Sequence, residues 1–573
     1  MKKLFSVGLC CCLLLACCLP AASPTKASAF DRAQGNGLSV PEEALLRLED
    51  WLFAFSERLR ALFGCLDFSC GGEEEDATPF PRAKVRAEKL LLMDPPQGDE
   101  ALALASLQGV LANVSATQLL FRSGAWRQYT ECMTDVAMEE LTGERATAAF
   151  LLKEFAPLVG GYVLCDEKGA QAAVSVAAAL QAVVIPESLR DAAEAAGMTC
   201  REDARGWTDK TLRRSRYFGQ LRQTVAFSQP VSYAPRLVDY AVMAGAYCGY
   251  SDSDRESDCR RMYSFLRSNA VVFGWNPALG EYGTVAALSS LNACLIPADH
   301  ACNLSVLSGF PSVALRQEAA APEPAAEAGH TVCLLMSDGD NLQWMLTQFT
   351  GASHFGSPLR GRFPMGWGLP ACLNAAAPTM ARWLYDNRTA EDEMIMQLSG
   401  LGYTFPSQWK DPVALRRMYG LLGEQMAAMD LRVAAVLDDG GFSHRAIDSL
   451  TAQEGVAGVF YLDYKDYAGT GGAMRLSRGK PVIGAKYKLW ADSPGGSPEE
   501  IAAAVNASCK DPADPDAYSL IVIHAWSGLD ENGRFAAYGD TMAAVDRMVA
   551  AFDEDVRIVP PTQFVKMAAR SIQ

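Results

Sequence analysis

The sequence predicts an α/β protein in which a C-terminal parallel (β/α) barrel-like domain follows an α/β N-terminal region. Three observations carry that prediction. Apolar runs recur through residues 330–573, at 332–336, 394–399, 433–437, 458–462, 481–485, 520–523 and 556–559, with 363–369 as a further strand candidate. Helix-like stretches separate most of them, notably 375–387, 411–429, 498–508 and 535–552, and strands alternating with helices in this way mark βαβ units. Several runs also end directly in polar residues able to carry chemistry, as the strand ends of a barrel do. An open doubly wound sheet is the structural alternative.

Taken in order, the chain begins with an export pattern. Lys2 and Lys3 precede an apolar run from Leu4 to Leu19, which is too short to span a bilayer well and suits a signal peptide over residues 1–29. Two processing readings stay open. Ala27-Ser28-Ala29 before Phe30 fits a small-x-small cleavage site, whereas Leu14-Leu15-Ala16-Cys17 resembles a lipobox that would lipidate Cys17. Either places the protein outside the cytoplasm of a bacterium, secreted or held at the cell surface. No later apolar run is long enough for a transmembrane helix in the mature chain.

Within residues 30–79, the segment 41–64 spaces Leu45, Leu48, Trp51, Leu52 and Phe55 as an amphipathic helix. The break at 71–78 follows it. Residues 80–317 alternate short apolar runs (Lys89 to Met93, Gly161 to Cys165, Ala182 to Ile185, Ala270 to Trp275, Ala293 to Ile296) with Ala/Leu-rich helices. Residues 318–329, rich in Ala, Pro and Glu, read as an extended linker.

Composition narrows the function. A chain of 573 residues exceeds the about 250–300 residues at which single cores stop growing. A net charge of −16 argues against nucleic acid or an anionic membrane as the main partner and is compatible with a neutral ligand such as carbohydrate. Cysteine pairing is allowed outside the cytoplasm, and Cys65/Cys70, Cys248/Cys259 and Cys294/Cys302 are near enough in sequence to pair. The histidines are His300, His330, His354, His444 and His524. There is accordingly no HExxH, nor is there a CxxC, a Walker loop or a GxSxG elbow.

The chemistry is expected where the runs end. Ser337-Asp338-Gly339-Asp340-Asn341 follows 332–336, Asp438-Asp439-Gly440-Gly441 follows 433–437, and His524-Ala525-Trp526 follows 520–523. A barrel gathers such ends at one mouth. Carboxylates beside flat apolar walls are what sugar chemistry needs. Each piece also has a plain structural reading: Asp340 as a helix cap, Asp438-Asp439 as a turn, Asp463 and Asp466 as solvated charges, His524 and Trp526 as core.

Gly400-Leu401-Gly402-Tyr403-Thr404-Phe405-Pro406 resembles the signature of the GxGYxYP family of putative glycoside hydrolases, with Phe405 where the pattern has tyrosine. Asp338 to Asn341 with Gln343-Trp344, the segment around His524, Leu104 to Leu111, and Asn303 to Val306 are also similar to family segments. The resemblance implies a glycoside hydrolase acting on an extracellular carbohydrate and supplies no established nucleophile. Paired carboxylates cleave glycosides, so the expected pair is one of Asp338/Asp340 with one of Asp438/Asp439. His524 would orient substrate or tune a carboxyl, while Asn341, Trp344, Tyr403 and Trp526 would bind substrate. This reading requires no cofactor. Two alternatives stay open: a metal-assisted carbohydrate deacetylase, its metal held by carboxylates and His524, and a non-catalytic surface glycan-binding protein.

Overall fold

The strand His330–Met336 is buried along its whole length, as a barrel strand covered on both faces must be. It anchors the computed structural model, which describes residues 79–317, 328–439, 441–490, 493–526 and 540–572. All of these lie in the unit Ala77–Gln573. The export segment, the helix expected at 41–64, Cys65/Cys70 and most of the 318–329 linker fall outside the described residues.

Three small parallel sheets come first. β1 (Lys89–Met93), β2 (Thr117–Phe121) and β3 (Ala137–Glu140) make one, in the order β2-β1-β3. β4 (Tyr162–Cys165), β5 (Val183–Pro186) and β6 (Cys200–Asp203) make the second, ordered β5-β4-β6. β7 (Arg222–Ser228), β8 (Ala246–Gly249), β9 (Val271–Gly274) and β10 (Cys294–Ile296) make the third, ordered β10-β9-β7-β8. The helix Gly98–Val114 is buried almost all round, which explains why its sequence shows no amphipathic stripe. Its Gln108 donates to Asn303 Oδ1 at 2.9 Å, and Asn303 Nδ2 donates to the Phe121 carbonyl at 2.8 Å and to Tyr129 at 2.9 Å. Two sequence segments nearly two hundred residues apart thus share one buried polar junction.

The barrel follows. β11 (His330–Met336), β12 (Met365–Leu369), β13 (Asp392–Met396), β14 (Val433–Asp438), β15 (Gly458–Asp463), β17 (Lys480–Leu489) and β18 (Tyr518–Ile523) form a closed seven-stranded parallel sheet, completed by the β18–β11 and β11–β12 pairings. β16 (Met474–Ser477) is an antiparallel hairpin partner of β17. β19 (Val556–Ile558) pairs with β11 outside the closed ring, at His330 to Val332. The run 556–559 is therefore a strand but not a barrel stave, and 363–369 supplies a stave instead.

Crossover helices start on local signals. Asp411 accepts from Val413 N and Ala414 N before Pro412–Ala428, and Ser497 with Glu500 forms a capping box before Pro498–Asn506, each satisfying amides that the first turn leaves without partners. Cys248, Cys259, Cys294 and Cys302 are all free thiols. All four are buried, where they act as small apolar side chains; sequence proximity was no guide to pairing.

The N-terminal region grips the barrel mouth through the signature loop. Leu295 N donates to the Tyr403 carbonyl at 2.9 Å and Tyr403 N to the Leu295 carbonyl at 2.7 Å, a two-way antiparallel bridge. A Cβ on Gly402 would sit 2.4 Å from the Leu295 oxygen, so glycine is required for that approach. Gly402→Ala should lower the melting temperature by the equivalent of about 1–3 kcal/mol. Gly420→Ala, in a helix interior with open space around the new methyl, should be neutral or stabilising. Equal melting temperatures for the two variants in a thermal scan would contradict this close-contact account.

Candidate active site

The C-terminal ends of the barrel strands open into a cavity of about 580 Å³. β11 supplies Ser337, Asp338, Asp340 and Asn341; β13 supplies Gln397 and Leu398; β18 supplies His524 and Trp526. The segment after β15 adds Tyr464, Asp466 and Tyr467, and Trp490 follows β17. The third N-terminal sheet closes the mouth with Trp275, Glu281 and Pro297. A larger cavity, about 680 Å³, lies at the opposite, N-terminal strand ends. Its buried acids are already engaged: Asp392 with Arg360 at 2.5 Å and Trp367 Nε1 at 2.8 Å, Glu393 with Thr562 N at 2.9 Å. That end of a barrel serves stability.

Local geometry sets the β11 loop. Asp338 has φ +60°, a left-handed conformation that aspartate tolerates. Gly339 follows because a Cβ there would lie 2.3 Å from the Gly368 backbone. Gln397 locks the turn, accepting from Gly339 N at 2.7 Å and donating to the Met336 carbonyl at 3.1 Å. The Asp338 carboxylate accepts from Trp526 Nε1 at 3.2 Å and from the Ser337 hydroxyl. Asn341, not Asp340, caps the short helix Leu342–Met345, through Trp344 N at 3.1 Å.

That leaves Asp340 with no side-chain donor among the described residues. It is 7% exposed, and burial pushes its carboxyl from 3.8 up to about 8, with Asp338 and then Glu281 adding to the rise. Glu281 is raised by burial, with the Tyr403 hydroxyl opposing at 2.7 Å and Asp338 adding. His524 stacks on Trp490, centroids 3.9 Å apart and 11° between planes. Burial lowers its pKa, and its Nδ1 has no hydrogen-bond partner; it is a neutral imidazole at pH 7.

The expected residues are brought together unequally. Asp338, Asp340, Asn341, Tyr403, His524 and Trp526 line the cavity. Asp438 and Asp439 do not. Asp438 is fully buried and accepts from Ser407 N, Ser407 Oγ and Tyr461 Oη, so it ties the signature loop to the barrel. Asp439 receives the Tyr282 hydroxyl at 2.7 Å and pairs with Lys465 at 3.4 Å. The acids of β11 and β14 expected as a pair are therefore not brought to one cavity, and Glu281 joins Asp338 and Asp340 in its lining. Trp344 is core, 2% exposed behind Trp526 with ring centroids 5.1 Å apart. Phe405, at the signature's second tyrosine position, is fully buried among Tyr282, Tyr403 and Tyr464. Among the described residues no three His, Cys, Asp or Glu side chains group as a metal site.

Family models match along most of this architecture. The "GxGYxYP putative glycoside hydrolase C-terminal domain" matches residues 329–569, the "GxGYxYP third domain" residues 222–309, and the "GxGYxYP_N second domain" residues 159–221. The chain belongs to the GxGYxYP family. A solved structure, described as a putative hydrolase from Bacteroides thetaiotaomicron VPI-5482, is similar at 25% identity and a TM-score of 0.76, covering 86% of this chain and 96% of its own. No curated protein matches. In this GxGYxYP chain the signature does a definable job: Gly402 permits the approach to β10, and Tyr403 reaches Glu281.

Asp340 has a measurable signature in stability. Its folded pKa lies above its unfolded one, so its contribution is fully present below about pH 4 and is lost as pH rises toward about 8. Asn copies the protonated acid and cannot ionise. Asp340→Asn should therefore match the parent in melting temperature near pH 4 and exceed it increasingly up to pH 8, by on the order of several kcal/mol. A gap independent of pH would show that Asp340 ionises normally.

Proposed function

We propose that this protein is an exported glycoside hydrolase in which Asp340 is the general acid and Asp338 its partner carboxyl. The observation that carries the reading is the contrast between two acids on one loop. Asp340 is desolvated, has no side-chain donor among the described residues and holds its proton at neutral pH, whereas Asp338 accepts from Ser337 and Trp526. Two carboxyls in surroundings this different suit different roles. Asp340 would protonate the departing glycosidic oxygen as that bond breaks. Asp338 would stabilise the positive charge developing at the anomeric carbon, and the water that adds to that carbon would give up a proton that restores Asp340. Trp490, Trp526, Tyr464 and Trp275 offer flat faces on which sugar rings stack. His524, neutral and with Nδ1 unpartnered, is a hydrogen-bonding group for a sugar hydroxyl.

The deacetylase reading is weakened because no grouped ligand set accompanies these acids among the described residues. A pure binding protein needs no reactive carboxyl in its cleft, and its acids either face solvent or are locked by Arg or Lys. Here Asp338, Asp340 and Glu281 carry no ion pair among the described residues. The apolar start of the chain supports export, and no helix among the described residues is long and apolar enough to cross a membrane.

Hydrolysis of a screened glycan panel by the mature protein tests the assignment. Asp340→Asn and Asp338→Asn should each lower kcat/KM by about 10²–10⁴. The parent profile should fall as pH rises through about 8, where Asp340 loses its proton. Full activity in both variants would sink the assignment.

A further inference from the structure

Among the described residues lining the cavity, four carboxyl side chains, Glu281, Asp338, Asp340 and Asp466, outnumber one cationic side chain, Lys465. Among the described residues Glu281 accepts from the Tyr403 hydroxyl, and Asp338 from two neutral donors, Ser337 and Trp526. Asp340, 7% exposed and facing the same space, has no side-chain donor. Lys465, a largely exposed lining residue, pairs with Asp439 at 3.4 Å, and Lys488 pairs with the lining residue Asp466 at 2.8 Å. No arginine is among the described residues lining the cavity, and His524 is neutral. Acid/base hydrolysis needs two carboxyls, and Asp338 with Asp340 fills that need. Glu281 is a third, from a different part of the chain, held in place by the signature tyrosine.

Glu281 keeps contact with solvent in the free protein, and a ligand that covers it strips that water, which costs free energy unless the ligand brings a counter-charge. A uronate or sulfated sugar would add like charge to a low-dielectric cleft, where repulsion is strong. An ammonium group would instead complete the ion pair that the protein leaves open. We propose that the cavity takes a glycan residue carrying a free amine, an amino sugar, and that Glu281 is the specificity-determining carboxylate that receives its ammonium. This rests on the reading of the cavity as a glycan site, and it names the class of sugar.

Equilibrium binding, which needs no turnover, tests it separately from the hydrolase assignment. Calorimetric titrations of the full chain at pH 7 would compare glucosamine, glucose and glucuronate, and in parallel galactosamine, galactose and galacturonate. In at least one series the amine should bind at least tenfold more tightly than the neutral parent, with the uronate weakest. Glu281→Gln should remove the amine's advantage over the neutral sugar, while Glu281→Asp, which keeps the charge, should retain part of it. The advantage in the unaltered protein should also shrink as salt is raised, a comparison that needs no variant to fold. Uronates binding as well as or better than neutral sugars, no amine binding in either series up to 100 mM, or an amine preference unchanged in Glu281→Gln would each overturn the proposal. Loss of the hydrolase assignment would show instead in the aspartate variants, with this binding order intact.

Discussion

The site depends on the backbone bridge between Leu295 and Tyr403. A barrel mouth alone would leave the acids of the β11 loop open to water, and exposed aspartates titrate near 4. By pairing the signature loop with β10, the chain swings the third N-terminal sheet over that mouth. Trp275, Pro297 and Glu281 become part of the cavity wall, and Asp340 loses its solvent. The glycines of the signature serve this approach. At Gly402 any side chain would collide with the Leu295 carbonyl, and its neighbour Tyr403 is thereby fixed with its hydroxyl on Glu281.

The chemistry follows from that enclosure. Desolvation is the largest cause of the rise at Asp340 and also at Glu281. Asp338 escapes into a polar niche built from Ser337 and Trp526. Two aspartates separated by one glycine therefore have different surroundings: Asp338, at φ +60°, is met by two donors, and Asp340 by no side-chain donor among the described residues. Asp438 shows the contrary use of a buried acid. It is surrounded by donors and ties the loop to the barrel.

Much of this was legible in the sequence where the physics is local. Strand rhythm and the position of polar residues after strands pointed to the barrel, and these placed Asp338, Asp340, Tyr403, His524 and Trp526 at one mouth. The β19 run could not be told from a stave, because a short apolar run looks the same inside or outside a closed sheet. Asp438 was indistinguishable from a catalytic acid, since its Ser407 and Tyr461 partners are distant in sequence. Glu281 went unread for the same reason: it sits in Gly280–Ser290 with no motif around it. Yet the strand-end rule extends to β9, whose exit into Trp275 leads toward that helix, and applying it to the N-terminal sheets would have reached both residues. Trp344 shows the limit of composition, because a tryptophan in the right half is as readily core as wall.

The claim on which the rest turns is that Asp340 keeps its proton at neutral pH inside the closed cavity. Infrared difference spectroscopy, subtracting the spectrum of Asp340→Asn from that of the parent across a pH series, reads this directly in the carboxylic-acid C=O band. The band should be present at pH 7 and vanish as pH rises through about 8. Its absence at pH 7, with carboxylate bands in its place, would contradict the account.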